Sequence, residues 1–194
     1  MSITVAIIGA GPLGRWLALA GARAGFRVLL EDVMPSTLHH AQEYLRRELG
    51  HEPFPGLKGE TWGTQSDAGV HFVSTIEDAV RDADLAIDCV PDELESKLEI
   101  FCLLDRMAPP RTVIATPTTA LSIADLASCT YRADRCVAIA ADPRDLAGDA
   151  GRKVLLRTTS ATSGEAAQLV CGFFERIGFA VGMERDPAEA SLKG

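Results

Sequence analysis

The sequence predicts an α/β fold, with a doubly wound and mainly parallel sheet covered by helices on both faces of a single domain. Three observations carry that expectation. The chain opens on a β-branched apolar run, ITVAII at 3 to 8, bounded by glycine, which is how a strand buried on both faces reads. After Pro12 the apolar spacing becomes helical. From there strand-like and helix-like segments alternate to residue 184, and such alternation needs crossovers between parallel strands.

Each element has its own local reason. Leu13, Trp16, Leu17 and Ala20 recur at helical spacing up to a stop at Gly25, and Pro12 suits the first helical turn because its missing N–H costs nothing there. RVLLED (27 to 32) reads as the second strand, followed by a helix capped by Ser36 and running to about Leu49. Residues 50 to 69 break the periodicity with glycine, proline and polar residues and read as an irregular loop carrying Trp62. Further strands are expected at 70 to 75, 85 to 90, 112 to 117, 135 to 140, 153 to 158 and 179 to 184. Helices are expected at Ile76–Arg81, Asp92–Met107, Ser122–Ser128 and Ser163–Ile177. The domain therefore spans 1 to 184, and the polar, proline-broken 185 to 194 is expected to fray.

Composition narrows the function classes. With 194 residues, 47% hydrophobic and 24% charged, the chain suits one domain with a full core. A net charge of −8 and the absence of any Lys/Arg-rich run argue against nucleic acid as a partner. Arg23, Arg27 and Glu31 interrupt the N-terminal apolar region, so no stretch nears the roughly 20 residues that span a bilayer, and no signal-peptide pattern is present. The expectation is a cytoplasmic protein without membrane contact. Five scattered cysteines without CxxC spacing read as reduced core residues, and no metal site is expected.

The binding chemistry sits at the first turn. Gly9-Ala10-Gly11-Pro12-Leu13-Gly14 satisfies GxGxxG between a buried strand and a helix, the context in which the pattern has a mechanism. Gly9 serves the tight turn, Gly11 lets the backbone approach a pyrophosphate, and Gly14 permits close helix–strand packing. The helix start then offers free N–H groups and a positive dipole end to phosphates. Asp32 follows 18 residues after Gly14, where an acid accepts hydrogen bonds from an adenosine ribose. Its charge would repel a 2′-phosphate, so NAD is favoured over NADP in a Rossmann-type fold. Glu31 is a weaker candidate, since strand alternation points it to the other side. Open α/β sheets bind ligands at the carboxyl ends of their strands, which adds Val90, Pro91 and Asp92, then Thr116 to Thr119, near the nicotinamide. A hydrogen-bonded turn before the next helix is the alternative for those threonines.

Three blocks carry a resemblance over nearly the whole chain. VAIIGAGPLGRWLALAGARAGFRVLLEDV, DADLAIDCVPDELESKLEIF and APPRTVIATPTTALSIADLA are similar to the NAD-binding domain of the L-3-hydroxyacyl-CoA dehydrogenases. The resemblance implies Asp92 where the family has a glutamate near the nicotinamide, and Lys97 as a lysine of the cofactor cleft, with a solvated helix lysine as the alternative. It also implies that Thr119 stands for a substrate-contacting serine, while Pro117 replaces an asparagine. The family's proton-accepting histidine falls on the stretch Ile139-Ala140-Ala141-Asp142-Pro143, one residue shorter, where Ala140 replaces it. The glutamate that orients the histidine falls on Leu156. A family-type helical domain that dimerises and completes the acyl-CoA site has no counterpart in the sequence.

Three functions remain open on these residues. One is an oxidoreductase acting on an acyl-CoA or another small hydroxy compound, its base supplied by Asp142, Asp92, Lys97 or a partner subunit. Another is a non-catalytic NAD(H)-binding sensor. The third is an accessory chain working with a separate helical domain. Apolar surface left where such a domain docks favours a homodimer or a partner subunit, and loss of the histidine argues against independent dehydrogenase activity.

Overall fold

The computed structural model describes residues 3–49, 69–141, 146 and 153–188. In chain order these form β1 (Thr4–Ile8), α1 (Pro12–Arg23), β2 (Arg27–Glu31), α2 (Pro35–Glu48), β3 (Gly69–Val73), α3 (Ile76–Val80), β4 (Leu85–Asp88), α4 (Leu94–Met107), β5 (Val113–Pro117) and α5 (Ile123–Ala127). A 3-10 turn (Ala133–Arg135), β6 (Cys136–Ile139), β7 (Lys153–Thr158), α6 (Gly164–Arg176) and β8 (Ala180–Arg185) follow. The strands make one sheet in the order β3-β2-β1-β4-β5-β6-β7-β8. Only the β6–β7 pair among them is antiparallel.

β1 shows why the sheet must be covered twice. Val5 and Ile7 enter a core shared with Leu17 and Ala18 of α1 and Phe173 of α6, whereas Ala6 and Ile8 enter a second core with Ala79 of α3, Phe101 of α4 and Leu126 of α5. Strict alternation along one strand thus feeds two hydrophobic layers. The sheet winds one way from β1 to β3 and the other way from β4 onward. The carboxyl ends of β1 and β4 therefore splay apart and open a crevice.

The expected elements stand, with two differences. Ser36 does not cap α2: the helix starts at Pro35 with Met34 at the N-cap, and no capping bond from that side chain is made. Pro35 sets the first turn two residues early, and the Asp32 carboxylate instead accepts from the Met34 N–H at 2.8 Å. Residues 185 to 188 are not a frayed tail. Arg185 pairs with Thr158 at the end of β8, and Asp186 is 2% exposed, accepting from the Ser122 hydroxyl at 2.8 Å and the Ala124 N–H at 3.0 Å. Burial pushes the Asp186 carboxyl up, but those hydrogen bonds and others from Ile123 and Ala188 hold it below the ordinary range. The polar composition of that segment thus serves as a cap on the start of α5. Residues 50 to 68, Asp142 and 189 to 194 lie outside the described residues.

Candidate dinucleotide site

The crevice between β1 and β4 holds a cavity of about 640 Å³ lined by Gly9, Gly11, Pro12, Asp32, Val90 and Asp92, among others. Gly9, with φ +101°, makes the turn that leaves β1, and its N–H donates to the Glu31 carbonyl at 2.9 Å. A Cβ on Gly14 would stand 1.8 Å from the Gly9 carbonyl oxygen, so α1 rests directly on the turn. A Cβ on Gly11 would meet nothing within 4 Å. Space is kept open there, at the N-cap of a helix that has no side-chain cap and no acid in its first turn. The helix amides and their dipole accordingly face the cavity unneutralised, which suits a phosphate.

Asp32 is placed by the end of β2 and held from both sides. One carboxylate oxygen accepts from the Ala10 N–H at 2.9 Å and the other from Met34. Each oxygen retains a lone pair for a sugar hydroxyl. Glu31, its neighbour, lies on the opposite face of β2, 4% exposed, between Ile8 and Val73. Burial, and then the charge of Asp32, push its carboxyl up to about 7.

The other wall is the turn after β4. Asp92 accepts from the Thr119 N–H at 3.3 Å through one oxygen, while the second is buried with no hydrogen-bond partner. An orphaned carboxylate oxygen in a cleft wall is an acceptor waiting for a donor, so the lining fits a dinucleotide bearing amide and hydroxyl groups. Val90 and Pro91 line the same wall, as do Cys89 and, from α2, Thr37. Those last two escaped the sequence reading: Cys89 read as a core residue, and Thr37 gave no signal beyond its position one turn past Asp32.

Lys97 and Thr116 lie beneath this wall. Lys97 is neither solvated nor at the cleft surface: it is 0% exposed, with its ammonium 3.2 Å from Asp88, 2.8 Å from the Thr116 hydroxyl and 3.4 Å from the Val90 carbonyl. Thr116, equally buried, donates to the same Asp88 oxygen at 3.0 Å, and the other Asp88 oxygen accepts from the Val90 N–H at 3.0 Å. The network therefore grips Val90 by both its N–H and its C=O and aims the turn from behind. Thr118 supplies the turn foreseen as the alternative, accepting from the Leu121 N–H at 3.0 Å, while Thr119 is exposed.

The substrate side has a different chemistry. Leu156 pairs across the antiparallel ladder with Ile139, whereas Ala140 takes the next position, its N–H donating to the Leu155 carbonyl at 2.7 Å. Side chains on successive strand residues point to opposite faces, so a group meant to touch the residue at 156 must stand at 139, not at 140. Ile139 and Leu156, both fully buried, are therefore the pair that meets across this ladder, and neither side chain is titratable, while Ala140 stands one position further on. His39 and His40 sit on α2 and His71 on β3, at the far end of the sheet from β6.

Comparison with known proteins agrees with this geometry. Residues 4–140 match the family model described as the 3-hydroxyacyl-CoA dehydrogenase NAD binding domain. The probable 3-hydroxybutyryl-CoA dehydrogenase of Bacillus subtilis (strain 168) is 31% identical over 133 residues, 69% of this chain and 46% of that protein. L-carnitine dehydrogenase of Pseudomonas sp is 33% identical over 138 residues, 69% of this chain and 40% of that one. The chain thus spans less than half the length of these relatives. Among solved structures, (S)-3-hydroxybutyryl-CoA dehydrogenase from Ralstonia eutropha shares the fold with a TM-score of 0.78 at 22% identity, covering 96% of this chain and 64% of that one.

Proposed function

Because the chain belongs to the 3-hydroxyacyl-CoA dehydrogenase family through its NAD-binding domain, we propose that it binds NAD(H) at the β1–β4 crevice without performing family-type dehydrogenation on its own. One observation carries the second half of that reading: Ile139 faces Leu156, and neither side chain takes up a proton. NAD, when bound, supplies a hydride acceptor. The α1 amides hold the pyrophosphate past Gly11, Asp32 holds the adenosine ribose, and the free oxygen of Asp92 accepts from the nicotinamide half. General-base catalysis is worth about 10²–10⁴ in rate, so its loss leaves binding intact and turnover feeble. Calorimetric titration with NAD and NADH, beside a steady-state assay with 3-hydroxybutyryl-CoA and NAD, tests both halves. Binding without NADH production supports the proposal; turnover at a family-like rate overturns it.

A second reading has its own observation. The partnerless Asp92 oxygen is a carboxylate in the cleft that a reacting hydroxyl on an acyl-CoA or a small hydroxy compound would approach. Turnover that survives in the wild type and vanishes in Asp92→Asn favours it. For assembly we propose a homodimer, or a complex with a partner subunit, through the thinly covered end of the sheet where Met183 is 62% exposed. Light scattering that returns a monomer, with no partner co-purifying, removes that part. No helix among the described residues is long and apolar enough to cross a membrane, which suits the cytoplasmic location we propose.

A further inference from the structure

Away from the cleft, two thiols meet where α4 packs on the turn that ends α5. Cys102 is exposed on α4, and its Sγ lies 3.8 Å from the backbone oxygen of Cys129. The Cys129 Sγ in turn lies 3.9 Å from the Leu98 oxygen and 3.1 Å from the Leu126 oxygen. Leu98 is one turn before Cys102 on α4, so the two sulfurs reach across the same joint from opposite sides, Cys102 against the backbone of Cys129 and Cys129 against the turn of α4 that precedes Cys102. The joint is already pinned. Arg132 pairs with Asp105 at 2.9 Å and donates to the carbonyls of Asp105, Ala108 and Pro109. Ordered backbone on both sides keeps the thiols in register without either being bonded.

We propose that Cys102 and Cys129 form a redox-closable pair, which a hydroperoxide converts to an intrachain disulfide joining α4 to the end of α5. The exposed Cys102 is the sulfur an oxidant reaches. Its thiolate attacks a peroxide oxygen, the O–O bond breaks, and a sulfenic acid forms while the other oxygen leaves as alcohol or water. Cys129 gives its proton to solvent and attacks the sulfenic sulfur; the S–S bond forms and hydroxide leaves as water. Two thiols lose two electrons and the peroxide gains them. Burial, followed by the neighbouring Cys102 thiol, pushes Cys129 up to about 11, which suits the resolving role rather than the attacking one. Cys136 lies near but takes no part: it is fully buried, pushed up to about 12 mainly by burial, and donates to the Arg132 carbonyl at 3.5 Å.

The full chain, treated with a small excess of hydrogen peroxide and then alkylated, is digested without reduction. The expected result is one peptide pair linked through Cys102 and Cys129, with Cys89, Cys136 and Cys171 still alkylated. Closing the 27-residue span also raises the melting midpoint by roughly 5–10 °C in the wild type, and in neither Cys102→Ser nor Cys129→Ser. Because Cys102 is exposed, its serine variant folds and serves as the control. Cys102 oxidised to sulfinic acid beside an alkylated Cys129, or Cys102 linked between two molecules, overturns the proposal.

Discussion

The ammonium of Lys97 stands 3.2 Å from a carboxylate oxygen of Asp88, and both side chains are sealed from water. Removing one partner of such a pair strands the other. Lys97→Met should lower stability by about 3–5 kcal/mol in urea denaturation, and adding Asp88→Leu should restore much of it. Burial already pushes the Asp88 carboxyl up against the pull of Lys97. Without the lysine the carboxyl rises further, so the penalty of Lys97→Met should shrink as pH falls, when Asp88 takes a proton. Denaturation midpoints of wild type and variant that stay parallel across pH would rule this out.

Glycine substitutions should separate folding from binding. Gly14→Ala drives a Cβ to 1.8 Å from the Gly9 carbonyl and should cost about 3 kcal/mol or more of stability. Gly11→Ala meets nothing within 4 Å and keeps an extended backbone that alanine adopts, so its melting midpoint should stay within about 2 °C of wild type. Its methyl group occupies the space a pyrophosphate needs. NAD affinity measured by calorimetry should fall roughly tenfold or more, about 1.4 kcal/mol.

Glu31 should leave a signature in the pH dependence of stability. Its folded pKa of about 7 lies above the ordinary 4.5, so the folded state binds more protons than the unfolded chain between those values. The stabilisation is present in full below pH 4.5 and is lost as pH rises through 7. Glu31→Gln should remove that slope and gain about 1–2 kcal/mol at pH 8, less than the full shift because a buried amide keeps part of the desolvation cost. Equal slopes in thermal melts of the two proteins from pH 5 to 8 would refute it.

Asp32→Ala should weaken NAD by about 10- to 100-fold, since hydrogen bonds to a charged group are each worth about 1.5–3 kcal/mol. The variant also releases the Ala10 and Met34 amides, so Asp32→Asn, which still offers an acceptor, is the partner measurement. Wild type should discriminate against NADP more strongly than either variant does. Equal NADP discrimination in all three would place the selectivity elsewhere.

The first half of the molecule was legible because one physical cause acts at one place. ITVAII, the three glycines and Asp32 lie within 32 residues and each answers to backbone geometry, so spacing alone positions them. Lys97 was not legible in that way. Helical spacing puts it on a face, but only the fold brings Asp88 and Thr116 from two different strands to neutralise and satisfy it. The partner of Leu156 was hidden for a similar reason: a stretch one residue short leaves the alignment free to slide, and only the ladder shows that Ile139 is the residue opposite it. Ser36 misled because a capping residue was assigned by type, while Pro35 and Asp32 had already set the turn.

Trp16 meets Phe179 edge-on, ring centroids 6.0 Å apart, and so joins α1 to the residue just before β8. The helix whose N-terminus lines the crevice thereby carries an intrinsic chromophore on its flank. With Trp62 replaced by phenylalanine, so that Trp16 alone emits, its emission and near-ultraviolet dichroism should register whether the closing β7-α6-β8 unit is seated, an optical handle on the packing behind the nucleotide crevice.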